Sequence, residues 1–156
     1  MKVALAWLLT LSLQDEKIIK FEAPKEWTKE KPTSSMRKAQ YKIPDKEKKA
    51  KEAELTLFYF GPNAGGVDAN LRRWAGQMGQ KEYKAEKIEG KCKITLVDLT
   101  GTFQDTLNNT TIEGARMLAA VVETADGPWF FKLVGPGDTV GDWREETVKM
   151  LKEAGP

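Results

Sequence analysis

The chain contains no histidine and a single cysteine, and its serines are confined to Ser12, Ser34 and Ser35. Each shortage closes off a chemistry. Without histidine there is no Ser-His-Asp triad, no Cys-His pair and no histidine-ligated zinc. One cysteine leaves no internal disulfide, no zinc ribbon and no iron–sulfur cluster. None of the serines sits on the strand-to-helix elbow of an activated nucleophile. Cys92 opens the strand pattern GKCKITLVDL with no histidine to generate a thiolate, and it reads as an inert packing residue. Net charge is small too: +2, although 31% of the residues are charged. Acids and bases alternate through KEKPTSSMRKAQYKIPDKEKKAKEAE, the pattern of a solvated surface, and no strong field draws the chain to nucleic acid or acidic lipid.

What is present suits one domain with a sizeable core. A chain of 156 residues buries about 70% of its unfolded surface. The N-terminal MKVALAWLLTLSLQDEK has a short positive start at Lys2, then an apolar run from Val3 to Leu13 that is too short for a membrane span. Residues 1–13 therefore read as a signal peptide, although no Ala-x-Ala cleavage site follows. The alternative is a mature first element that happens to be apolar. The expectation is a periplasmic or secreted protein with residues 14–156 as a single α+β domain, cytoplasmic if the stretch is not cleaved.

Periodicity supplies the elements. KIIKFEAP (Lys17 to Pro24) reads as a short strand, EWTKEKPTSS as a polar loop, MRKAQYKIP as a second strand, DKEKKAKEA as a charged connector and AELTLFYF as a strong strand. Val67, Leu71, Trp74, Ala75 and Met78 make one apolar stripe of a helix from about Gly66 to Met78. EYKAEKIEG and KCKITLVDLTGTFQD read as antiparallel strands joined at Glu89-Gly90. In the second, Ile94, Leu96 and Asp98 share one face and Thr95, Val97 and Leu99 the other. TLNNTTIEGA reads as a polar loop. RMLAAVVETADGPWFFKLVGP is two strands around an Asp-Gly turn. Val140, Trp143, Thr147, Val148, Leu151 and Ala154 trace a second amphipathic helix, with Asp138 or Thr139 as cap. The fold class expected is α+β: an antiparallel sheet with two main amphipathic helices packed on it.

LFYFGPNAGGVDANLRRW runs strand, glycine turn, helix, the order of many phosphate sites. The spacing does not fit one. A Walker loop needs lysine after its last glycine, and here Gly66 precedes Val67 and Asp68. The dinucleotide fingerprint needs Gly-x-Gly-x-x-Gly, which Gly61, Gly65 and Gly66 do not make. Asp68 in the first helical turn competes with an anion for the positive helix end. The glycines read as turn residues, and no nucleotide, other cofactor or metal is expected.

Asn70, Arg73 and Gln77 form a polar stripe beside the apolar one and are the candidate binding residues. The competing reading is that they only tie the helix to neighbouring loops. Asp98, on an apolar strand, offers a raised-pKa general acid if buried. With Asp105 or Glu113 it would make the carboxylate pair of a hydrolase, and otherwise it is a hydrogen-bonded residue at a sheet edge. Lys132 interrupts the apolar PWFFKLV. It reaches solvent at the sheet margin or pairs with a carboxylate, Asp98 ahead of Glu123.

The segment FYFGPNAGGVDANLRRWAGQ, followed much later by DGPWFFKLVGP, resembles a family of uncharacterised, mostly exported bacterial proteins. The matching positions are Phe60-Gly61, Gly65-Gly66, Asn70, Arg73-Trp74 and Gln77. Further matches are Pro32, Met36-Arg37 and Ile43-Pro44 upstream, and Gly127 to Lys132 with Gly135-Pro136 downstream. The resemblance covers most of the chain after Trp27 and implies no assigned activity. The element order is similar to the PsbP-like α/β/α sandwich, a fold analogy that carries no function. The expectation for function is a non-catalytic exported binding or accessory module with a protein or small-molecule partner. The alternative is the carboxylate-dependent hydrolase.

Overall fold

The computed structural model describes residues 18–156; the candidate signal sequence lies outside the described residues. Seven strands form one antiparallel sheet in the order β1-β2-β3-β7-β6-β5-β4. They are β1 (Thr28–Glu30), β2 (Arg37–Ile43), β3 (Ala53–Tyr59), β4 (Ala85–Glu89), β5 (Lys93–Asp105), β6 (Thr110–Thr124) and β7 (Gly127–Pro136). The helices are α1 (Val67–Gln77), α2 (Gly137–Asp142) and α3 (Arg144–Glu153). Strands β4 to β7 run as a meander. β3 adds to the far side of β7, and α1 carries the chain from β3 to the distant edge at β4.

The side-chain period of two makes two cores, one on each face of the sheet. On one face Ile94, Leu96, Leu118, Ala120, Val122, Trp129, Phe131 and Leu133 meet Trp143, Met150 and Leu151 from the C-terminal helices, together with Ile19 and Trp27. On the other, Val97, Leu99, Met117, Ala119, Val121 and Phe130 meet Leu71, Trp74, Ala75 and Met78 of α1. β7 therefore alternates between the two cores, with Lys132 as the polar member of the α1 face. The turn from β6 to β7 is Ala125-Asp126, and Thr124 pairs with Gly127.

The expected fold class needs correction. The molecule is dominated by its sheet, with strands of up to 15 residues and three short helices of 11, 6 and 10 residues. It is not an α/β/α sandwich built on two main helices. The second expected helix breaks at Trp143, whose backbone stands at φ −103°, ψ 7°. Trp143 Nε1 donates to the Pro44 carbonyl at 2.7 Å, and its ring meets Trp27 edge-on at 5.8 Å. These tertiary contacts anchor the residue at the helix break. Amphipathic spacing continued through the break because α2 and α3 bury residues against the same core.

Two other boundaries move. The strand expected over Lys17 to Pro24 is, among the described residues, an extended arm tied to the C-terminal tail by a bridge between Lys20 and Gly155. Its Ile19 and Phe21 pack into the core. β1 forms instead at Thr28–Glu30, where a polar loop was expected. The polar loop over TLNNTTIEGA shrinks to a turn, because β6 begins at Thr110. Gly114, at φ +59°, absorbs the register shift there: Gly101 pairs with Ala115, but Phe103 pairs with Ile112. The extra residue puts Ile112 and Ala115 on the same face despite their odd spacing.

Candidate functional site

α1 covers part of its face of the sheet. Beyond the helix the surface between β2, β3, β7 and the β5–β6 hairpin is open. It forms a cleft of about 340 Å³ whose lining includes Arg37, Glu54, Phe103, Asp105, Asn108 and Lys132. That volume lies at the lower end of the roughly 300–1,000 Å³ usual for small-molecule sites.

Lys132 lies at the base of the cleft because β7 is a central strand and residue 132 points away from Phe131. Its Nζ donates to Gln77 Oε1 at 3.3 Å and sits 5.4 Å from the centre of the Phe103 ring. Among the described residues it makes no ion pair; the salt bridges of this region belong to Arg37 and Lys42. Burial pushes its ammonium down to about 8; Asp105 offsets part of that shift, and the positive charges of Arg37 and Arg73 add to it.

Arg37 reaches the cleft through a bulge. Strict alternation would put it with Ala39 and Tyr41 on the opposite face. The pairing of β2 with β3 shifts between Arg37 and Ala39, so that Arg37 stands opposite Phe58 and Ala39 opposite Leu57. A bulge re-aims one side chain in this way. Arg37 Nη1 then donates to Gln40 Oε1 at 2.8 Å and to Glu54 Oε1 at 2.9 Å. Buried Gln40 also accepts from the Thr33 backbone N–H at 3.1 Å and its hydroxyl at 3.2 Å. Arg37 is thus held from two sides by groups that use one of its nitrogens.

The acids of the cleft are already engaged. Glu54 is paired to Arg37. Asp105 accepts from the backbone N–H groups of Leu107 at 3.1 Å and Asn108 at 3.3 Å, and from Asn108 Nδ2 at 2.6 Å. Burial alone would raise its carboxyl, but the Asn108 and Leu107 hydrogen bonds and the Lys132 charge hold it below its ordinary value.

The candidate residues of α1 are distributed as follows. Asn70 Nδ2 donates to the Gly66 carbonyl at 3.0 Å, and Arg73 Nη2 donates to Asn70 Oδ1 at 3.0 Å. These two contacts tie the helix to its own start. Gln77 differs from them: through Lys132 it borders the cleft. Of the glycines before the helix, Gly65 takes φ +89°, and Gly66 is the N-cap at φ −73°, ψ 151°.

The carboxylates expected to act together are separated by the sheet. Asp98 lies on the α3 face, where Arg116 Nε and Nη2 donate to it at 2.8 and 2.6 Å and Arg144 Nε at 3.1 Å. Asp105 lines the cleft on the α1 face. Glu113 is exposed and is not part of the cleft lining. Burial would raise the Asp98 carboxyl, yet hydrogen bonds from Arg116 and Arg144 outweigh it, so the group is held low. That is the reverse of a general acid. The expected Asp98–Lys132 pair is also absent, since residues 98 and 132 project from opposite faces.

The sequence singled out Lys132, Gln77 and Asp105, each for a different reason, but not that they come together, and it did not single out Arg37 or Phe103 as their neighbours. Arg37 is hidden by the bulge, and Phe103 sits in a strand segment whose partner changes register. Among the described residues no cluster of His, Cys, Asp or Glu is arranged to hold a metal ion. No helix among them is long and apolar enough to cross a membrane.

No family model and no curated protein matches the chain. Among solved structures it is similar to that of a protein of unknown function from Pseudomonas aeruginosa, described as a candidate regulator. Identity is 10%, the TM-score is 0.52, and the match spans 84% of this chain and 97% of that one. At that identity the likeness speaks for the fold alone.

Proposed function

We propose that the protein is a binding module without catalytic function, and that the cleft beside α1 is its ligand site. One observation carries this reading. Lys132, on the central strand β7, presents an ammonium to an open cleft with a single acceptor among the described residues, Gln77 Oε1 at 3.3 Å. Lys132 sits on a central strand at the base of the cleft, not at the sheet margin where a lysine reaches solvent freely. Such a position is costly without a compensating partner. A bound ligand supplies the missing acceptors.

Binding is favoured over hydrolysis by the state of the acids. Glu54 is tied to Arg37, and Asp105 is held below its usual range by its own turn. Asp105 is therefore not set up to donate a proton near neutrality. Export of the mature domain is the companion proposal. It rests on the apolar Val3 to Leu13 stretch, and a host-purified chain beginning near Gln14 to Lys17 would support it.

The test is a fragment screen followed by amide chemical shifts of the labelled protein. Ligands should move resonances of Thr56, Phe103, Asn108 and Lys132 together and leave those of α3 unmoved. A screen in which no fragment perturbs the cleft would remove the reading.

A further inference from the structure

We propose that the ligand of this cleft is a small monocarboxylate with a short apolar tail. Its carboxylate is received by the Lys132 ammonium and the Arg37 guanidinium, and its tail lies against Phe103, Ile112 and Val134. The inference rests on reading the cleft as the ligand site and adds the chemical class.

The donors argue for an anion. Lys132 carries three N–H groups, and the structure gives its Nζ one acceptor. Arg37 uses Nη1 for both Gln40 and Glu54. Its Nε and Nη2 make no hydrogen bond to the described residues, and neither is a buried unsatisfied atom. Two cations on neighbouring walls thus offer uncommitted donors, whereas the acceptors of Asp105 are turned into its own loop.

The acids limit the charge. Glu52, Glu54 and Asp105 line the same cleft as Arg37, Lys42 and Lys132. Lys42 is drawn towards Glu30 at 3.6 Å and Arg37 towards Glu54, which leaves Lys132 as the cation without a carboxylate partner. Three acids against three cations leave the lining without net charge, so a singly charged ligand paired directly with Lys132 is tolerated, and a dianion would be repelled by the acids.

The apolar walls decide the rest. Phe103, Ile112 and Val134 lie on the cleft side of the sheet, Phe103 and Val134 as core residues and Ile112 packed against them. An aliphatic or aromatic tail covers these groups and excludes water from the ion pair, which strengthens it.

Bound charge must also feed back on Lys132. Its ammonium is pushed down to about 8 by burial, and a carboxylate beside it favours the protonated form. Binding should therefore take up protons above pH 8 and weaken as the free lysine loses its charge.

The experiment titrates the full labelled chain with hexanoate, hexanamide and inorganic phosphate. The expected result is saturable binding of hexanoate at cleft resonances, with hexanamide and phosphate each weaker by about tenfold or more. Lys132→Gln should lower hexanoate affinity by a similar factor while the spectrum stays dispersed, and Lys132→Arg should recover part of it. Affinity should also fall between roughly pH 7 and pH 9.5 in the parent and stay flat in Lys132→Gln. Hexanamide binding as well as hexanoate would overturn the anion assignment and leave the cleft as a ligand site. Phosphate binding more tightly than hexanoate would overturn the monocarboxylate class. Silence at the cleft with all three probes would overturn the inference, while a fragment found there by screening would preserve the broader reading.

Discussion

Arg116 on β6 grips Asp98 on β5 with two hydrogen bonds, Nε to Oδ1 at 2.8 Å and Nη2 to Oδ2 at 2.6 Å. Arg144, the first residue of α3, adds a third at 3.1 Å and reaches Glu86 on β4 with its other end. The carboxylate therefore ties β5 and β6 to the C-terminal helix, and Arg144 extends the link to β4 through Glu86. Its side chain keeps 19% of its surface exposed and that of Arg116 26%, so the pair is only partly shielded from water.

Asp98→Asn should cost about 2 kcal/mol at neutral pH, because charge-assisted hydrogen bonds are lost and two arginines are left facing each other. The folded carboxyl is held below its ordinary value of 3.8. Its contribution is therefore fully present above the unfolded pKa and is lost as pH falls through the folded one. Urea melts at neutral and acid pH should show the two proteins converging at low pH. A constant gap across the range would show that the carboxylate charge is not what stabilises.

Lys132→Met should behave in the opposite sense. The lysine falls from its ordinary 10.5 to about 8 on folding, so between those values the unfolded chain holds more protons and stability rises with pH. Below about pH 8 the cost of burying the ammonium is fully present. Methionine keeps much of the length without the charge and should stabilise the unliganded protein by about 1–3 kcal/mol at neutral pH. That advantage should shrink as pH rises towards 10.5, measured by urea melts near pH 7 and pH 10. A methionine variant less stable than the parent at both pH values would show that the Gln77 contact outweighs burial.

Gly65→Ala and Gly66→Ala should separate. Gly65 stands at φ +89° with open space where a Cβ would go, so alanine there meets backbone strain alone, about 1 kcal/mol. Gly66 has an ordinary φ of −73° and open space around it, and alanine should change stability by less than about half as much. Thermal or urea unfolding decides; equal effects would place the strain elsewhere in the loop.

Phe131→Ala should cost about 3–5 kcal/mol through the cavity it leaves. The ring is 2% exposed and meets Phe21 edge-on at 5.4 Å. Phe21 belongs to the extended N-terminal arm, so the variant should also loosen that arm. Faster amide exchange at Lys20, whose N–H donates to the Gly155 carbonyl at 2.8 Å, would report it. Unchanged exchange there would show that the arm is held independently of the ring.

How far the cleft was legible follows from the range of each signal. Lys132 stood out because a charge between Phe130 and Val134 breaks a strand pattern that needs only neighbours two residues away. Gln77 stood out separately, in the polar stripe of α1, but it is remote in the chain and nothing local linked it to Lys132. The Asp98 expected as partner has the right chemistry on the wrong face. Helix α1 was legible from its apolar stripe. The break between α2 and α3 was not, because both helices bury residues in the same core and the stripe runs through Trp143 unchanged.

The sequence by itself determined which chemistries are closed, through its missing histidine and lone cysteine. It also determined the two-faced alternation of β5 and β7 and the turn at Ala125-Asp126. These are properties of side-chain type and of backbone period, and both act over a few residues. The tertiary structure alone decided that Arg37 joins Lys132, that Asp98 joins Arg116 and Arg144, and that Asp105 stands across the sheet from Asp98. Those pairings depend on strand order and on the bulges beside Arg37 and at Gly114. A bulge turns a side chain to the other face through its pairing with a strand that the local pattern does not specify.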